Sequence, residues 1–315
     1  MAWMTQTTAV LPAMLRPLIE AKLPDWLQVQ WYDNRHQAVA LAPQAEIGWF
    51  DFFDRAAMHD AITAASQLKW LNSLFAGVEQ FPLALLQQRG VQLTNGAGIN
   101  AVPIAEYVVM LMLSHAKGYR DVVRAQDRHD WLKDSPGTRE LFGSKALILG
   151  YGGIGREIAS RLEAFGVAVS KVSRSGGAGM LSPQAWRAEL GTFDWVVIAV
   201  PATPETVGMI GAAELAAMKP DAVVVNIARG SVIDQAALLA ALQAGTIGGA
   251  LLDVTTPEPL PAEDPLWDHA EITMHLSGRA QSLAMVRAGE RFVANLDRYH
   301  RGEPLAPLVD YTHGY

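Results

Sequence analysis

The sequence of 315 residues contains no cysteine, and this absence narrows the chemistry open to the protein. Disulfides, thiolate zinc sites, Cys-ligated iron–sulfur clusters and a cysteine nucleophile are all excluded. Basic residues are also few, 25 against 32 acidic ones, which gives a formal net charge of −7. Because binding to phosphates needs a basic face, this charge balance argues against a nucleic-acid partner.

Two further absences bear on location. No apolar run reaches about 18 residues, the length that a membrane-spanning helix needs, so we expect no membrane association. Residues 1–16 lack a basic segment followed by an apolar core, which is the pattern of an export signal. A cytoplasmic location is therefore the expectation.

The composition is that of an ordinary globular protein, with 50% hydrophobic and 18% charged residues. At roughly 150 residues per domain, the length favours two domains. Short apolar runs alternate with helical patterns in the second part of the chain, which predicts a parallel sheet covered on both faces. The predicted strands there are 141–150, 167–172, 195–200, 222–227 and 248–254, and the predicted helices are 154–165, 214–218 and 235–244.

The first hundred residues repeat this alternation with weaker signals. Strands are predicted at 8–11, 29–32, 47–50, 70–75 and 91–94, and helices at 12–22 and 82–89. A long apolar helix, 102–117, is expected to join two domains, and a final helix, 282–302, to return to the first. The predicted domains are residues 1–98 with 283–315, and residues 99–282.

Gly150-Tyr-Gly-Gly-Ile-Gly155 matches the G-x-G-x-x-G pattern of dinucleotide-binding turns. It directly follows an apolar strand and directly opens a helix, which is the context that gives the pattern its meaning. Gly150 permits the tight turn, Gly152 lets the backbone approach a pyrophosphate, and Gly155 lets helix and strand pack closely. The helix N-terminus then offers free N–H groups to the phosphates, so we expect a dinucleotide cofactor.

The residues after the second strand of this unit address the choice of cofactor. An NAD site usually places Asp or Glu there to bind the ribose 2′-hydroxyl. This chain has Ser173-Arg174-Ser175, and residues 167–182 contain no carboxylate. Because an arginine and two hydroxyls would bind a 2′-phosphate that a carboxylate would repel, we expect NADP(H) to be preferred over NAD(H). The alternative is that Arg174 is a solvated loop residue and that selectivity is poor.

Three later segments carry polar residues at the ends of predicted strands, where an open parallel sheet binds its ligands. The first runs from Asn226 to Asp234 through Arg229. The other two contain Asp253 with Glu258, and His275. Taken singly, Arg229 could anchor an ion pair, Glu258 could be a solvated turn residue and His275 a structural histidine.

At these residues the sequence resembles the D-isomer-specific 2-hydroxyacid dehydrogenases, and in particular the NADPH-dependent glyoxylate/hydroxypyruvate reductases. The matching motifs follow the family's order across about residues 70–280. They are residues 150–155, Pro201-Ala-Thr-Pro-Glu-Thr206, Val225-Asn-Ile-Ala-Arg-Gly230, Gly249-Ala-Leu-Leu-Asp-Val254, Pro257-Glu-Pro-Leu260 and His275, supported by Ala76-Gly77-Val78, Ser173-Arg174, and the tail Val309-Asp310 with Gly314-Tyr315.

The resemblance implies an α/β protein with two doubly wound parallel-sheet domains, a Rossmann cofactor domain inserted in a flavodoxin-like substrate domain. It implies reduction of a small 2-oxo acid to the D-2-hydroxy acid by hydride transfer. In that reaction His275 would be the general acid, a role that suits an imidazole because its ordinary pKa lies near neutrality. Glu258 would pair with His275, and Arg229 would bind the substrate carboxylate and polarise the keto oxygen.

The remaining site residues are also implied by the resemblance. Asp253 would contact the nicotinamide carboxamide. The backbone N–H groups of Ala76 and Gly77 would hold the substrate carboxylate from the other domain, and closure of the two domains would expel water. The full set of expected cofactor contacts is Gly150, Tyr151, Gly152, Gly153, Ile154, Gly155, Ser173, Arg174, Ser175, Pro201, Thr206, Ile227, Ala228, Arg229, Asp253, His275 and Ser277. We expect no metal, because the other histidines show no ligand spacing.

The sequence departs from the family in the last motif. The family usually has proline before the catalytic histidine, and this chain has Met274. Arg279 is also unusual, and it could lie in the active-site cleft or at an interface. The candidates for lining the substrate pocket are aromatic, although at their spacings core positions are the more common outcome: Trp49, Phe50, Phe53, Phe75 and Trp131.

Two alternatives to a glyoxylate or hydroxypyruvate reductase remain. One is a reductase of a larger 2-oxo acid such as phenylpyruvate. The other is a non-catalytic interaction protein that senses dinucleotides with the same fold. The resemblance also implies a homodimer through the cofactor domain, and the segment 102–143 is the expected contact because its first helix is very apolar.

Overall fold

The computed structural model describes residues 6–279 and 281–312, so that Gly314 and Tyr315 of the expected tail motif lie outside the described residues. The chain divides into two compact units, the first made of residues up to 99 together with those from 280 onward, and the second of residues 100–279. No helix of the described residues is both long and apolar enough to cross a membrane.

The strands and α-helices of the described residues are named in chain order. The strands are β1 (Thr7–Pro12), β2 (Leu27–Tyr32), β3 (Ile47–Trp49), β4 (Trp70–Asn72), β5 (Gln92–Thr94), β6 (Lys145–Leu149), β7 (Ala168–Val172), β8 (Trp195–Ile198), β9 (Val223–Asn226), β10 (Gly249–Leu252) and β11 (Glu271–Ile272). The helices are α1 (Arg16–Ile19), α2 (Arg35–Leu41), α3 (Arg55–Ala64), α4 (Leu83–Gln88), α5 (Ala101–Ala116), α6 (Tyr119–Asp127), α7 (Gly153–Ala164), α8 (Ala212–Ala217), α9 (Gln235–Gln243), α10 (Leu266–His269) and α11 (Ala284–His300).

The first unit is a parallel sheet in the order β2-β1-β3-β4-β5. This is the flavodoxin-like order, in which β1 is the strand at which the chain changes direction across the sheet. Alternate residues of the strands face opposite sides, so Val10 and Leu71 pack with one apolar cluster while Leu11 and Trp70 pack with another that contains Phe292 of α11. The sheet is therefore covered on both faces, as predicted.

The predicted helix at 12–22 is wrong as a continuous element. Only α1 is α-helical, and 3₁₀ turns precede it at Ala13–Leu15 and follow it at Glu20–Lys22. The physical reason is Pro17, which has no N–H to donate to the carbonyl of Ala13 and so interrupts an α-helix across this stretch.

The second unit is a parallel sheet in the order β11-β10-β9-β8-β6-β7. Its central strands are continuous apolar runs, and they are buried on both faces between two apolar clusters. Strand β6 lies between β7 and β8. The chain therefore adds β7 on one side of β6 and then crosses over to add β8 on the other side. Open α/β sheets bind ligands beyond the carboxyl ends of the strands at such a point. The predicted α/β class with two doubly wound parallel sheets is confirmed.

Candidate active site

His275 and Glu258 form a hydrogen-bonded pair in the second unit. His275 follows β11, Glu258 lies in the loop after β10, and 2.9 Å separates Nδ1 of the imidazole from Oε2 of the carboxylate. The other carboxylate oxygen, Oε1, accepts a hydrogen bond from the N–H of Thr255 at 3.1 Å. Glu258 is therefore held at both oxygens and fixes the orientation of the ring, which leaves Nε2 as the nitrogen that can exchange a proton with a substrate.

The backbone that carries His275 is strained. Met274 and His275 both have a φ of 57°, a left-handed conformation that non-glycine residues seldom adopt. A proline ring fixes φ near −65°, so the family's usual proline does not fit at position 274 in this conformation. The departure at Met274 thus has a structural reason in this chain.

Asp253 anchors this strained segment. The residue is 2% exposed and directly follows β10. Its Oδ1 accepts from the hydroxyl of Thr273 at 2.8 Å and the N–H of Leu276 at 2.9 Å, and its Oδ2 accepts from the hydroxyl of Ser277 at 2.6 Å. The backbone N–H of His275 also donates to the backbone carbonyl of Asp253 at 2.6 Å. One buried carboxylate therefore ties together the whole segment from 273 to 277.

This geometry bears on two of the expected cofactor contacts. The carboxylate of Asp253 is already hydrogen-bonded within its own chain, and Ser277 is 3% exposed with its hydroxyl directed to that carboxylate. Both residues support the loop that carries His275. Their expected contacts with the nicotinamide remain predictions, and sequence reasoning missed this supporting role because the partners are 20 to 24 residues apart.

Arg229 lies in the turn that follows β9. Its Nη1 donates to the carbonyl of Ala228 at 2.8 Å, and its own carbonyl accepts from the side-chain amide of Asn226 at 3.0 Å. The next residue packs directly on the loop of Glu258, since a Cβ at Gly230 would lie 2.1 Å from the carbonyl oxygen of Thr255. Arg229 and Glu258 are thus on loops in van der Waals contact, which the sequence order alone does not show.

The glycine-rich turn has the geometry that the fingerprint predicts. Gly150 has a φ of 102°, and a Cβ there would lie 2.5 Å from the carbonyl oxygen of Ala199 after β8. A Cβ at Gly155 would lie 2.1 Å from the carbonyl oxygen of Gly150, so only glycine lets α7 pack this closely. A Cβ at Gly152 would meet no atom within 4 Å. The backbone beside Gly152 is therefore open, as a bound pyrophosphate requires.

The amides at the start of α7 complete this fit to a dinucleotide. The helix begins at Gly153, and its first α-helical hydrogen bond runs from the N–H of Arg156 to the carbonyl of Gly152. The amides before Arg156, which include those of Gly153 and Ile154, are the donors that an α-helix leaves without partners inside itself. The ring of Tyr151, which precedes these amides in the turn, lies 5.3 Å from Nζ of Lys171 and 5.5 Å from the guanidinium of Arg156.

Two more loops leave the same edge of the sheet. After β7, the hydroxyl of Ser173 donates to the carbonyl of Gly176 at 3.1 Å and lies 3.3 Å from that of Ser175, while Arg174 is exposed. After β8, the hydroxyl of Thr206 donates to the carbonyl of Pro201 at 2.6 Å and closes the loop on itself. Ile227 and Ala228 are buried after β9, and the cofactor contacts expected of them and of these two loops remain predictions.

In the first unit, Ala76 and Gly77 lie in the loop after β4. Ala76 is exposed, and its carbonyl accepts from the side-chain amide of Asn95 at 2.8 Å. Within the described residues, the N–H groups of Ala76 and Gly77 donate to no protein acceptor. Two adjacent amides with no acceptor in the protein are the kind of group that binds a carboxylate.

The aromatic candidates for a substrate pocket divide into two sets. Trp49 and Phe50 are each 1% exposed and belong to the apolar core, which is the more common outcome for aromatics at such spacings. Phe53 and Trp131 are 93% and 94% exposed. The ring of Phe53 lies 5.8 Å from that of Phe75, directly before Ala76.

The parallel sheet with an open glycine turn and the His275–Glu258 pair at its carboxyl edge define the class: an NAD(P)-dependent oxidoreductase of the α/β type. Residues 109–276 match the family model of the D-isomer specific 2-hydroxyacid dehydrogenase, NAD binding domain. A solved structure of a D-isomer specific 2-hydroxyacid dehydrogenase family protein from Aeromonas salmonicida is 32% identical, with a TM-score of 0.84 over 98% of this chain and 100% of that one.

A second solved structure, a D-isomer specific 2-hydroxyacid dehydrogenase from Xanthobacter autotrophicus in complex with NADPH and MES, is 28% identical, with a TM-score of 0.79 over 99% of this chain and 100% of that one. The glycerate dehydrogenase of Methylorubrum extorquens is 32% identical over 262 residues, which are 78% of this chain and 80% of that protein. Against the D-3-phosphoglycerate dehydrogenase of Mycobacterium bovis, the alignment spans only 53% of that protein's length. The chain belongs to the D-isomer specific 2-hydroxyacid dehydrogenase family.

Proposed function

We propose that this protein is an NADPH-dependent reductase of small 2-oxo acids such as glyoxylate and hydroxypyruvate, and that it forms the D-2-hydroxy acid. The observation that carries the proposal is the imidazole of His275, oriented by Glu258 at 2.9 Å on a loop anchored by buried Asp253. When bound, the cofactor supplies a hydride to the keto carbon. His275 donates a proton from Nε2 to the keto oxygen, and Glu258 stabilises the ring while it is charged.

The substrate anion is assigned to two groups of donors. Arg229 presents a planar guanidinium at the carboxyl edge of the second unit's sheet, a shape that matches the carboxylate and keto oxygens of a 2-oxo acid. The amides of Ala76 and Gly77 are proposed as further donors to the substrate carboxylate, since they have no acceptor within the described residues. Both assignments predict that a substrate without the carboxylate is not reduced.

The preference for NADPH is assigned to Ser173, Arg174 and Ser175. Arg174 is exposed beyond β7, and no carboxylate follows that strand within residues 167–182. The 28% identical enzyme from Xanthobacter autotrophicus was solved with NADPH. The measurement is the ratio of kcat/KM for NADPH and NADH. We expect NADPH to be favoured, and Arg174→Ala to lower this ratio through a higher KM for NADPH; a preference for NADH would refute the assignment.

A larger 2-oxo acid such as phenylpyruvate is the second candidate substrate. The exposed ring of Phe53 beside Phe75 favours it, because an aromatic surface next to Ala76 would pack on an apolar substrate side chain. Steady-state kinetics with glyoxylate, hydroxypyruvate and phenylpyruvate separate the two candidates. If kcat/KM is highest for phenylpyruvate, the second candidate replaces the first.

The same kinetics test the enzyme itself. We expect His275→Ala to lower kcat by about two to four powers of ten, while the Kd for NADPH changes little. His269→Ala is a matched control, since this histidine ends α10 and lies outside the site. Full turnover in His275→Ala would remove the general acid from the proposal. Tight NADPH binding without turnover of any 2-oxo acid would favour a dinucleotide-sensing interaction protein.

We also propose a homodimer through the second unit. Its helix α6 and the following loop expose apolar side chains around a groove of about 720 Å³ lined by Val122, Trp131 and Leu132 among others. Trp131 is 94% and Phe142 77% exposed, and a stable monomer seldom presents such a surface to water. Cytoplasmic location remains an expectation of the composition.

A further inference from the structure

Asp51 is a carboxylate that the proposed reaction does not use. It follows β3 in the first unit and accepts three hydrogen bonds, one from the last residue of β3 and two from the loop after β4. Its Oδ2 accepts from the indole N–H of Trp49 at 2.7 Å and from the backbone N–H of Leu74 at 2.6 Å, and its Oδ1 accepts from the hydroxyl of Ser73 at 2.7 Å. Two of its three donors belong to the loop after β4.

Ser73 extends this network by one residue. Its side chain is buried, and its hydroxyl accepts from the backbone N–H of Phe75 at 2.9 Å while donating to Asp51. Asp51 thereby fixes three consecutive residues, Ser73, Leu74 and Phe75. The next two residues are Ala76 and Gly77, whose amides are the proposed donors to the substrate carboxylate.

The opposite side of this loop is held by the residues after β5. The N–H of Gly96 donates to the carbonyl of Phe75 at 2.8 Å, and the side-chain amide of Asn95 donates to the carbonyl of Ala76 at 2.8 Å. A Cβ at Gly96 would lie 1.8 Å from the carbonyl oxygen of Leu74, so the two loops are in direct contact. The carbonyls of Phe75 and Ala76 are fixed on this side, and the N–H groups of Leu74 and Phe75 are fixed on the other side by Asp51 and Ser73.

We propose that Asp51 is a positioning residue for 2-oxo acid binding, which acts through Ser73 and Leu74 to aim the amides of Ala76 and Gly77 at the substrate carboxylate. This assignment rests on the proposed function. It differs from general support of the fold because two of the three hydrogen bonds that Asp51 accepts from the described residues come from Ser73 and Leu74, just before the two amides, and the third comes from the end of its own strand.

The protonation state of Asp51 gives this role a pH dependence. Burial raises the pKa of Asp51 to about 6, although hydrogen bonds from Leu74, Ser73 and Trp49 favour its charged form. Above this pKa the carboxylate accepts from all three donors. Below it, the added proton must itself be donated, and the hydroxyl of Ser73 is the partner that can accept it in place of donating. The bond between Asp51 and Ser73 is then reversed, and the loop is less firmly held.

The other titratable group near Asp51 is Tyr32 of β2. Its hydroxyl donates to the backbone carbonyl of Trp49 at 2.7 Å, and burial, with a contribution from the charge of Asp51, raises the pKa of the phenol. Tyr32 therefore stays neutral in the range where Asp51 titrates. A change in substrate binding near pH 6 that depends on Asp51 cannot come from this tyrosine.

Asp51→Asn tests the assignment, with Asp54→Asn as the matched control. Asp54 is three residues away, caps α3 and pairs with Arg35 on the surface. Loss of one charge-assisted hydrogen bond predicts a KM for glyoxylate about tenfold higher in Asp51→Asn at pH 7.5. We expect the kcat of Asp51→Asn and its Kd for NADPH to stay within about twofold of those of the unmodified enzyme. In Asp54→Asn, the KM for glyoxylate, the kcat and the Kd for NADPH should all stay within that range.

The pH profile and amide exchange complete the test. In the unmodified enzyme, the KM for the 2-oxo acid is expected to rise below pH 6, and in Asp51→Asn it is expected to be flat from pH 5 to 8. Hydrogen exchange at Leu74 and Phe75, whose amides donate to Asp51 and Ser73, should be faster in Asp51→Asn and unchanged in Asp54→Asn, a readout that needs no turnover. Unchanged KM and unchanged exchange in Asp51→Asn would overturn the assignment. Faster exchange with no turnover in the unmodified protein would instead overturn only the proposed function.

Discussion

At the scale of single residues, the site combines strain with an anchor. Met274 and His275 both adopt a φ of 57°, and each such residue costs of the order of 1–3 kcal/mol. The cost is offset by Asp253, whose buried carboxylate accepts from Thr273, Leu276 and Ser277. The position of His275 is therefore set by a carboxylate that the proposed proton transfer never involves.

Asp253→Ala tests this anchor. It removes the buried carboxylate that accepts hydrogen bonds from Thr273, Leu276 and Ser277, so the free energy of unfolding of the second unit is expected to fall by about 2–5 kcal/mol. kcat is expected to fall at least about tenfold because His275 is no longer held. Urea unfolding and steady-state kinetics measure the two effects. Ser277→Ala, which removes one hydroxyl from Asp253, is the milder comparison, with an expected loss of about 1 kcal/mol. Equal losses in the two variants would argue against Asp253 as the anchor.

The sequence predicted the pairing of His275 with Glu258 but not what holds the pair. The pairing was implied by the family resemblance, which both residues carry in short motifs. The role of Asp253 depends on hydrogen bonds to the residues after β11, and that strand has only two residues, Glu271 and Ile272. A strand so short has no alternation or length from which its register could be inferred.

At the scale of elements, the turn between β6 and α7 contains two glycines that differ in what surrounds them. Gly155 is required by packing, because a Cβ there would lie 2.1 Å from the carbonyl oxygen of Gly150. Gly152 is not required by packing, because a Cβ there would meet no atom within 4 Å. The space at Gly152 is open to the pyrophosphate that the proposed cofactor would bring, and the two positions give opposite predictions for stability.

Gly152→Ala and Gly155→Ala make that distinction measurable. Gly155→Ala must separate α7 from β6, and we expect the free energy of unfolding to fall by about 1–3 kcal/mol, as for other overpacked sites. Gly152→Ala should leave the melting temperature nearly unchanged and raise the Kd for NADPH about tenfold or more, because the methyl group meets the pyrophosphate. Thermal unfolding without cofactor measures the change in stability, and a fluorescence titration with NADPH measures the change in Kd. A destabilised Gly152→Ala would mean that the open space has another cause.

The elements themselves were predicted unequally for a physical reason. The buried strands β6, β8 and β9 are continuous apolar runs ended by a glycine, a proline or a polar residue, and such runs are visible in a sequence. Helices α2 and α3 were not predicted, because only a narrow face of each is apolar. Their signals were the N-caps: Asn34 accepts from the N–H of Gln37, and Asp54 accepts from those of Ala56 and Ala57.

At the scale of the whole molecule, the two units contain carboxylates whose pKa values are shifted in opposite directions. Burial raises the pKa of Asp51 in the first unit to about 6. Burial would also raise the pKa of Asp194 in the second, but hydrogen bonds from Lys219 and the N–H of Lys145, with the charges of Lys219 and Arg139, lower it overall. The two groups therefore act in opposite directions as the pH falls.

The signs follow from proton linkage. Asp51 contributes stability that is fully present below its unfolded-state pKa and is lost as the pH rises through about 6. Asp194 contributes stability that is present above its unfolded-state pKa and is lost as the pH falls through its lowered folded-state value. Urea unfolding between pH 3 and 8 is the measurement. We expect Asp194→Asn to lower stability at pH 7 and to reduce the loss of stability on the acid side, where Glu214, whose pKa is also lowered, still contributes. A wild-type-like profile in this variant would contradict the prediction.

The proposed dimer gives the final prediction at this scale. Val122 on α6 and Trp131 in the loop after it line the same groove, and both belong to the exposed apolar residues of the second unit. An aspartate at position 122 would place a charge in a surface that the dimer removes from water, a burial that is costly without a partner for the charge.

Light scattering at micromolar concentration should give about twice the chain mass of 34.1 kDa for the unmodified protein and the single-chain mass for Val122→Asp. Met14→Asp is the control, because Met14 is 68% exposed in the first unit and should leave the dimer intact. A monomeric unmodified protein would rule out the proposed dimer and leave this apolar surface without its assigned partner.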